Sequence, residues 1–309
     1  MESPLVSICC ITYNHEKYIR EALDSFLMQE TSFPYEIIIH DDASTDSTPE
    51  IIKDYADKNS NIFLVLQKEN QYSKRIKIFP NFIFPLARAK YIALCEGDDY
   101  WTDPHKLQKQ ADHMEKYPKC TLCLHASTDV SETGEFIKKR ERYKTDSIVP
   151  MEDLILGGGG FAAFASTFFP SEFRSLLPEY YFRSPVGDVP LHLFLASQGD
   201  VFYLHDNMSS YRTSVPGSWT SRVGDGIGEL QRMKQNLMSD MYLDFSRTIE
   251  AKYRIYAEFM SLKCQIHRLR MLKKFDRSQV DIPEYISSEL NYIKAKAIIH
   301  FHRHFKMQL

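Results

Sequence analysis

Three carboxylates follow a short apolar run and are the residues best suited to chemistry in this sequence. The run Tyr91–Cys95 predicts a buried strand, and it ends on Glu96, Gly97, Asp98 and Asp99. Like charges at this spacing repel and raise one another's pKa unless a positive charge lies among them. A divalent cation is the most direct source of that charge, so the turn predicts a metal-binding site.

Two other polar clusters follow predicted strands near the N-terminus. Thr12, Tyr13 and Asn14 follow the apolar run VSICCIT, and Asp41 and Asp42 follow YEIIIH. Open α/β sheets bind ligands at the carboxyl ends of their parallel strands, so the three clusters are expected to share one edge and one site. One acidic turn would be explained by helix capping, but three clusters on one edge indicate a binding site.

The sequence lacks the loops that most nucleotide-binding folds use for phosphates. TYNHEKY follows the first strand where a dinucleotide-binding protein carries G-x-G-x-x-G, and no G-x-x-x-x-G-K-[ST] occurs. Carboxylates with Mg²⁺ or Mn²⁺ would bridge a diphosphate instead, because both ions prefer hard oxygen ligands. Asp41 or Asp42 would then be free to accept a hydrogen bond from a base N–H.

The elements that would position these residues alternate between strand and helix. The predicted strands are VSICCIT (6–12), YEIIIH (35–40), NIFLVLQ (61–67) and YIALC (91–95). The predicted helices are 16–29, 47–59, 79–90 and 103–118. This order predicts an α/β fold with a mostly parallel, doubly wound sheet.

The second half of the chain is less regular and ends in helices. We predict a strand near 120–126, a polar stretch to about 147, a helix over 189–199 and a strand over 200–206. From about Gly228 onward the pattern is almost wholly helical. The chain is therefore divided into a domain over 1–228, with halves 1–120 and 121–228, and a helical C-terminal region over 229–309.

The composition argues against a nucleic-acid-binding, membrane-spanning or secreted protein. The net charge of -3 provides no basic field for nucleic acid, so no nucleic-acid partner is expected. No apolar run approaches the roughly 20 residues of a membrane span, and MESPLVSICC lacks the basic start of a secretory signal. The six scattered cysteines fit a reduced compartment. We expect a cytoplasmic protein, located either free in the cytoplasm or at the inner face of the membrane.

Three segments resemble the N-terminal signature of glycosyltransferase family 2, whose members have the GT-A fold. They are VSICCITYNHEKYIREALDSFLMQ, YEIIIHDDASTDST and YIALCEGDDYW, in the family's order. VGDVPLHLFLASQGDVFYLHDNMSSYRTS is similar to the C-terminal part of bacterial members that build surface polysaccharides or glycans. The resemblance covers about residues 4–222 and implies that 1–120 is the nucleotide-binding half and 121–228 the acceptor half.

The resemblance implies that the first two clusters bind the nucleotide-sugar. Thr12 and Tyr13 would line the nucleobase pocket, with Asn14 completing their motif. Asp42, or its neighbour Asp41, would accept a hydrogen bond from the uracil edge.

The resemblance also implies metal and catalytic roles. Asp98 would approach the ribose or the metal, and Asp99 would ligate Mn²⁺ or Mg²⁺ beside the diphosphate. Asp188, which opens the GDVPLHLFL helix, matches the position of the catalytic base. Glu96 and Gly97 depart from the family's D-x-D pattern, which leaves open which carboxylate contacts the metal directly.

Several basic residues have two interpretations. Lys74 and Arg75 lie in the loop ENQYSKRIK and would either neutralise phosphate or remain solvated loop charges, the second being slightly favoured.

Trp219 lies in a segment rich in Gly, Pro and Ser that has the composition of a lid. Arg212 and Arg222 flank that segment and are candidates for contact with the diphosphate.

The resulting hypothesis is a metal-dependent glycosyltransferase. It would move a hexose or N-acetylhexosamine from a UDP-sugar to a hydroxyl of a bacterial glycan or glycoprotein, with inversion. The alternatives are a nucleotidyltransferase, which needs a Gly-rich basic loop after the first strand, and a non-catalytic sugar-nucleotide binder. The C-terminal helices are expected to form a homo-oligomer. Their basic end implies at most a peripheral contact with a membrane.

Overall fold

The computed structural model describes residues 3–213, 215, 229–275 and 282–306, which fall into two compact units. The first unit comprises Met1–Val149, Gly159–Leu177 and Gln198–Val215. The second comprises Pro150–Gly158, Pro178–Ser197 and Pro216–Leu309. The predicted division between 228 and 229 stays a prediction, because residue 228 lies outside the described residues.

The first unit is built on a sheet whose N-terminal strands are parallel. β1 (Val6–Thr12), β2 (Tyr35–Asp41), β3 (Ile62–Leu66) and β4 (Tyr91–Glu96) pair in the order β3-β2-β1-β4. The helices of this part are α1 (Ile19–Leu27), α2 (Thr48–Lys58) and α3 (Lys106–Lys116). Ile8, Ile38 and Leu94 are at most 1% exposed, as a continuous apolar strand covered on both faces requires. The predicted parallel sheet is confirmed for this part of the chain.

The predicted helix over 79–90 is wrong. A π-helical turn at Phe79–Ile83 and a 3-10 turn at Phe84–Leu86 take its place. Pro80 and Pro85 have no N–H to donate, so a continuous i to i−4 ladder cannot run through the segment. The chain becomes extended at Ala87 and leads into β4.

The remaining strands make the sheet mixed. β6 (Cys120–Val130) and β10 (Asp200–Arg212) are parallel, and β9 (Phe168–Pro170) joins β4 to β6 by antiparallel pairing. β5 (Tyr100–Trp101) and β8 (Ser147–Ile148) pair antiparallel with β10, and β7 (Phe136–Arg140) with β6. The strands predicted near 120–126 and over 200–206 are present and longer than predicted. β7 and β8 lie in the stretch predicted only as polar, and their mostly exposed residues carry no apolar alternation.

The second unit is helical. Its helices are α4 (Met151–Gly157), α5 (Glu179–Arg183), α6 (Asp188–Gln198), α7 (Glu229–Ser246), α8 (Ala251–Phe275) and α9 (Ile282–Lys306). A buried polar contact joins α7 to α8, where the hydroxyl oxygens of Ser239 and Ser261 lie 2.7 Å apart. No helix in the described part of the chain combines the length and apolar character needed to cross a membrane.

Candidate functional site

The acidic turn after β4 packs directly against the end of β1. The Gly97 N–H donates to the carbonyl of Ile11 at 2.9 Å. A Cβ at Gly97 would lie 2.9 Å from Cδ1 of Ile19 and 3.0 Å from Oγ1 of Thr12, tighter than nearly all real Cβ contacts. Glycine at this position therefore allows the backbone of the turn to pack against Thr12, although the sequence departs here from the D-x-D pattern.

Asp99 is the most deeply buried carboxylate of the turn, at 1% exposure. Its Oδ1 accepts the backbone N–H of Arg212 at 2.8 Å, across 113 residues of sequence. Its Oδ2 is buried and has no hydrogen-bond partner among the described residues. Burial, and then the charges of Asp98 and Glu96, raise the pKa of Asp99 well above its ordinary value. The side chain therefore has one oxygen free for a ligand and a charge that needs compensation.

Arg212, the last residue of β10, lies across the same turn. One guanidinium nitrogen donates to the carbonyl of Asp98 at 2.6 Å, and another donates to the carboxylate of Glu21. The guanidinium carbon lies 5.1 Å from the ring centroid of Tyr18 and 4.9 Å from that of Tyr100. Arg212 is 6% exposed, so it supplies a positive charge inside the protein next to the acidic cluster. No motif or spacing in the sequence indicated this contact.

Asp98 is more accessible than Asp99. Its side chain is 13% exposed, and Oδ2 lies 3.9 Å from Nε2 of His15. The other imidazole nitrogen of His15 is buried and unpartnered among the described residues. His15 is a member of this site that the sequence reasoning did not single out, although it follows the T-Y-N motif directly.

The residues that follow β1 are brought to this edge, as predicted from the strand order. Thr12 is 2% exposed, and its buried Oγ1 has no partner in the described part of the chain. Tyr13 is 42% exposed. Asn14 has a φ of 56°, a left-handed conformation that asparagine tolerates, and its Oδ1 accepts the N–H of Thr45 at 2.8 Å. Asn14 therefore ties the end of β1 to the loop after β2.

Asp41 and Asp42 lie at the same edge, but loops occupy both carboxylates. Asp41 accepts the N–H and the hydroxyl of Ser44 at 3.0 and 2.5 Å. Burial raises the pKa of Asp41, and the two bonds from Ser44 offset part of that rise. Asp42 accepts the N–H groups of Gln71 and Tyr72 at 2.8 and 3.0 Å. The two aspartates shape the loops around the site, and their contact with a nucleobase stays a prediction.

The candidate phosphate-binding cations lie in the loop that Asp42 holds. Lys74 is half-exposed and paired with Glu69. Arg75 follows a 3-10 turn and has a φ of 62°. The phosphate role of both residues stays a prediction. Trp219 and Arg222, the other candidates, lie outside the described residues.

The segment just beyond the acidic turn belongs to the core. Trp101 is 1% exposed, and its indole N–H donates to the carbonyl of Ala165 at 3.0 Å. Lys106 is fully buried, with Nζ 4.0 Å from the Trp101 ring centroid and 2.7 Å from Oε1 of Gln110. Burial lowers the pKa of Lys106 to about 7.

Asp188 belongs to the second unit, where it is the first residue of α6 and is partly buried. Its charge acts on neighbours whose pKa values are shifted by burial, among them His192, Lys234 and Tyr181. Burial lowers the pKa of His192 to about 4 and also lowers that of Lys234, while Asp188 opposes both changes. Burial raises the pKa of Tyr181, and Asp188 adds to that rise. Asp188 therefore lies close enough to these titratable groups for its charge to influence them.

The acidic turn can be tested for its fit to a metal ion. Among the described residues, no three His, Cys, Asp or Glu side chains are grouped so as to hold one. Asp98 and Asp99 nevertheless offer hard oxygens, including the unpartnered Oδ2 of Asp99. Mg²⁺ is commonly held by one or two carboxylates together with substrate phosphates. The residues therefore fit an ion shared with a diphosphate ligand, and do not form a complete protein cage.

Sequence comparison identifies related proteins. The family model for Glycosyl transferase family 2 matches residues 7–176. An uncharacterized protein of Mycobacterium tuberculosis is 37% identical over 235 residues, which cover 71% of this chain and 62% of the relative. An uncharacterized glycosyltransferase of Methanocaldococcus jannaschii is 32% identical over 151 residues, covering 48% of this chain and 51% of the relative. The chain thus spans less than two thirds of these relatives.

Solved structures with low sequence identity share the fold. S. aureus TarS 1–349 in complex with UDP-GlcNAc matches with a TM-score of 0.61 at 18% identity, over 94% of this chain and 81% of that one. The mannosyltransferase PcManGT from Pyrobaculum calidifontis, in complex with GDP-Man and Mn²⁺, matches with a TM-score of 0.54 at 14% identity, over 99% and 81%. These matches confirm the predicted GT-A fold class.

Proposed function

Because the chain belongs to glycosyltransferase family 2, we propose that it transfers a hexose or N-acetylhexosamine from a UDP-sugar to a hydroxyl of a glycan or glycoprotein. The uridine donor is supported by the fold shared with TarS, whose structure contains UDP-GlcNAc. PcManGT contains GDP-Man, so the identity of the base is the part of the proposal that most needs a direct test.

One observation carries the proposal. The buried Oδ2 of Asp99 has no partner among the described residues, and it lies in a turn where Asp98 and Asp99 follow Glu96, the last residue of β4. A buried carboxylate oxygen without a hydrogen bond is costly in a folded protein. It is explained if a ligand completes its coordination, and a cation bridging to a diphosphate is the ligand that this charge favours.

Asp98 and Asp99 would hold the Mn²⁺ or Mg²⁺ ion. When bound, the ion supplies Lewis-acid stabilisation of the negative charge on the departing diphosphate. Arg212 holds the backbone of the turn through the carbonyl of Asp98 and its own N–H to Asp99. These bonds fix the backbone at Asp98 and the orientation of the Asp99 carboxylate.

The nucleoside part of the donor would be bound at the ends of β1 and β2. Thr12 and Tyr13 would line the base pocket, since the buried hydroxyl of Thr12 has no partner among the described residues and the ring of Tyr13 is exposed. Asp42 or Asp41 would read the uracil edge with a carboxylate lone pair that the loop bonds leave available. Lys74 and Arg75 would neutralise phosphate, with Lys74 exchanging its ion pair with Glu69 for the ligand.

Asp188 would be the general base. An acceptor hydroxyl is a weak nucleophile until its proton is accepted as the new glycosidic bond forms, and direct attack inverts the anomeric carbon. A partly buried carboxylate that is not in the acidic turn can take this proton. His192 and Lys234, whose pKa values respond to Asp188, are placed to share the change in charge.

The proposal is tested by measuring UDP release from a panel of UDP-sugars and GDP-sugars with the purified protein. We expect release from a UDP-sugar in the presence of Mn²⁺ or Mg²⁺. Asp188→Asn should lower transfer about 10²- to 10⁴-fold and leave UDP affinity unchanged. Asp54→Asn, on the exposed surface of α2, is the matched control. Tight UDP binding without any release would favour the non-catalytic binder, and normal transfer by Asp188→Asn would remove Asp188 as the base.

A further inference from the structure

The last helix, α9, packs against α8 through one of its sides. The ring of Tyr292 stacks on that of Phe259 with centroids 5.3 Å apart, and Arg270 forms two 2.8 Å hydrogen bonds to Glu289. Ile299 on the same helix is 6% exposed. These contacts fix which side of α9 is turned toward the protein.

Another side of α9 exposes an apolar stripe. Ile286 and Leu290 are each 53% exposed, Ile293 is 58% exposed, and Ala297 is also exposed. At about 100° per residue, the spacings of four, three and four residues place these side chains within about 60° of one another. Large aliphatic side chains are rarely left in water in such a row without a function.

Two lysines border the stripe. Lys294 and Lys296 lie about 70° and 90° to either side of its centre, and both are exposed. Neither forms an ion pair with another described residue. The sequence contains no Asp or Glu after Glu289, while Arg303 and Lys306 extend the basic character to the end of the helix. Apolar side chains flanked by cations are typical of helices that lie in the plane of a membrane surface.

We propose that the stripe formed by Ile286, Leu290, Ile293 and Ala297 binds the surface of an anionic phospholipid bilayer. The aliphatic side chains would enter the acyl boundary, while the two lysines would extend their stems toward the headgroups. Charge complementarity selects this partner. A second copy of α9 would bring the same cationic borders to the interface, whereas an anionic bilayer supplies the opposite charge to both borders at once.

The test is sedimentation of the full chain with vesicles of phosphatidylcholine alone or phosphatidylcholine with phosphatidylglycerol. We expect binding to the anionic vesicles that weakens as salt is raised, and little binding to the neutral ones. Leu290→Ser with Ile293→Ser should abolish it. Lys294→Gln with Lys296→Gln should weaken it about 20-fold, since each lysine near an anionic surface contributes roughly fivefold. Ile148→Ser and Lys53→Gln are controls, because both residues are exposed in the first unit.

Two results would overturn the proposal. One is the absence of binding to anionic vesicles at low salt by a protein whose circular dichroism is that of a folded chain. The other is a fall in the mass measured by light scattering on Leu290→Ser with Ile293→Ser in the absence of vesicles, which would assign the stripe to a second copy. The lysine variant leaves the apolar stripe intact and gives an independent measurement of the charge contribution.

Discussion

Asp41–Asp42 and Asp98–Asp99 are two pairs of neighbouring aspartates at the same edge of the sheet. The two pairs differ in the hydrogen bonds that their carboxylates accept. Asp41 and Asp42 accept four hydrogen bonds from the loops beside them, three of which come from backbone N–H groups. At the acidic turn, Asp99 receives one backbone hydrogen bond and keeps one buried oxygen without a partner among the described residues. The bonds to Asp41 and Asp42 hold the loops of the site in place, whereas the second pair keeps a carboxylate oxygen available for a ligand.

Hydrogen-bond satisfaction, and not acidity alone, distinguishes the two pairs. Both follow a parallel strand, and Asp41, Asp42 and Asp99 are each at most 4% exposed. A satisfied carboxylate contributes to stability, because its loss leaves backbone N–H groups without acceptors. An unsatisfied one lowers stability, and that cost is recovered when a cation binds. Substitutions at the two pairs should therefore have opposite effects on stability and activity.

The largest expected effect is on turnover by Asp99→Asn. The variant should lose at least about 100-fold in transfer, because a Lewis acid contributes several kcal/mol to the transition state and its ligand is removed. Its free energy of unfolding should stay equal or rise, since a buried carboxylate that Asp98 and Glu96 repel is replaced by a neutral amide. Initial rates and urea unfolding are the measurements. A stable variant with full activity would show that Asp99 takes no part in the reaction.

Arg212→Ala should have the largest effect on stability. The change removes a hydrogen bond to the carbonyl of Asp98, an ion pair with Glu21 and two ring contacts. We expect a loss of about 3 kcal/mol in the free energy of unfolding, because hydrogen bonds to charged groups each contribute about 1.5–3 kcal/mol. Arg20→Ala, on the exposed side of α1, is the matched control. If the two variants unfold at the same urea concentration, the acidic turn does not depend on Arg212.

A smaller loss of stability is expected for Asp42→Asn. The amide keeps one acceptor oxygen, but its NH₂ group must face either the N–H of Gln71 or that of Tyr72. The free energy of unfolding should fall by about 1–2 kcal/mol, while Mn²⁺ affinity stays unchanged. Stability equal to that of the parent chain would mean that the loop does not need this carboxylate.

The smallest effect concerns a buried cation beneath the same edge. Burial lowers the pKa of Lys106 to about 7, whereas in the unfolded chain the lysine keeps a pKa near its ordinary value of 10.5. Between these two pKa values the unfolded state binds more protons, so stability should rise as the pH is raised from about 7 toward 10. Lys106→Met should remove up to about 1 kcal/mol of that rise per pH unit. An identical slope in both proteins, measured by urea unfolding at several pH values, would contradict this.

The four N-terminal strands and their parallel pairing could be predicted from the sequence, because buried parallel strands are continuous apolar runs. The strand ends also predicted which polar residues reach the edge, and the T-Y-N and acidic motifs identified the family. The prediction of a helix over 79–90 was wrong. The apolar spacing of the segment suits a helix, but Pro80 and Pro85 interrupt its hydrogen bonds. β7 escaped prediction because an exposed strand with Lys138, Lys139 and Arg140 has no apolar face to detect.

The contacts that separate the two aspartate pairs could not be predicted. The bond from Arg212 to Asp99 joins residues 113 positions apart, and no periodicity encodes it. The N–H groups that satisfy Asp42 come from the backbone at Gln71 and Tyr72, where side-chain identity carries no information. Sequence motifs thus predicted where the carboxylates lie, and only the fold showed which of their oxygens remain free.

Calorimetric titration of Mn²⁺ into the UDP-bound protein tests the role of Asp99 most directly, with the parent chain, Asp99→Asn and Asp42→Asn compared. We expect Asp99→Asn to weaken Mn²⁺ binding at least about tenfold and Asp42→Asn to bind Mn²⁺ like the parent chain. Equal Mn²⁺ affinity in the parent chain and Asp99→Asn, or a loss confined to Asp42→Asn, would contradict the claim that the free oxygen of Asp99 is the metal ligand.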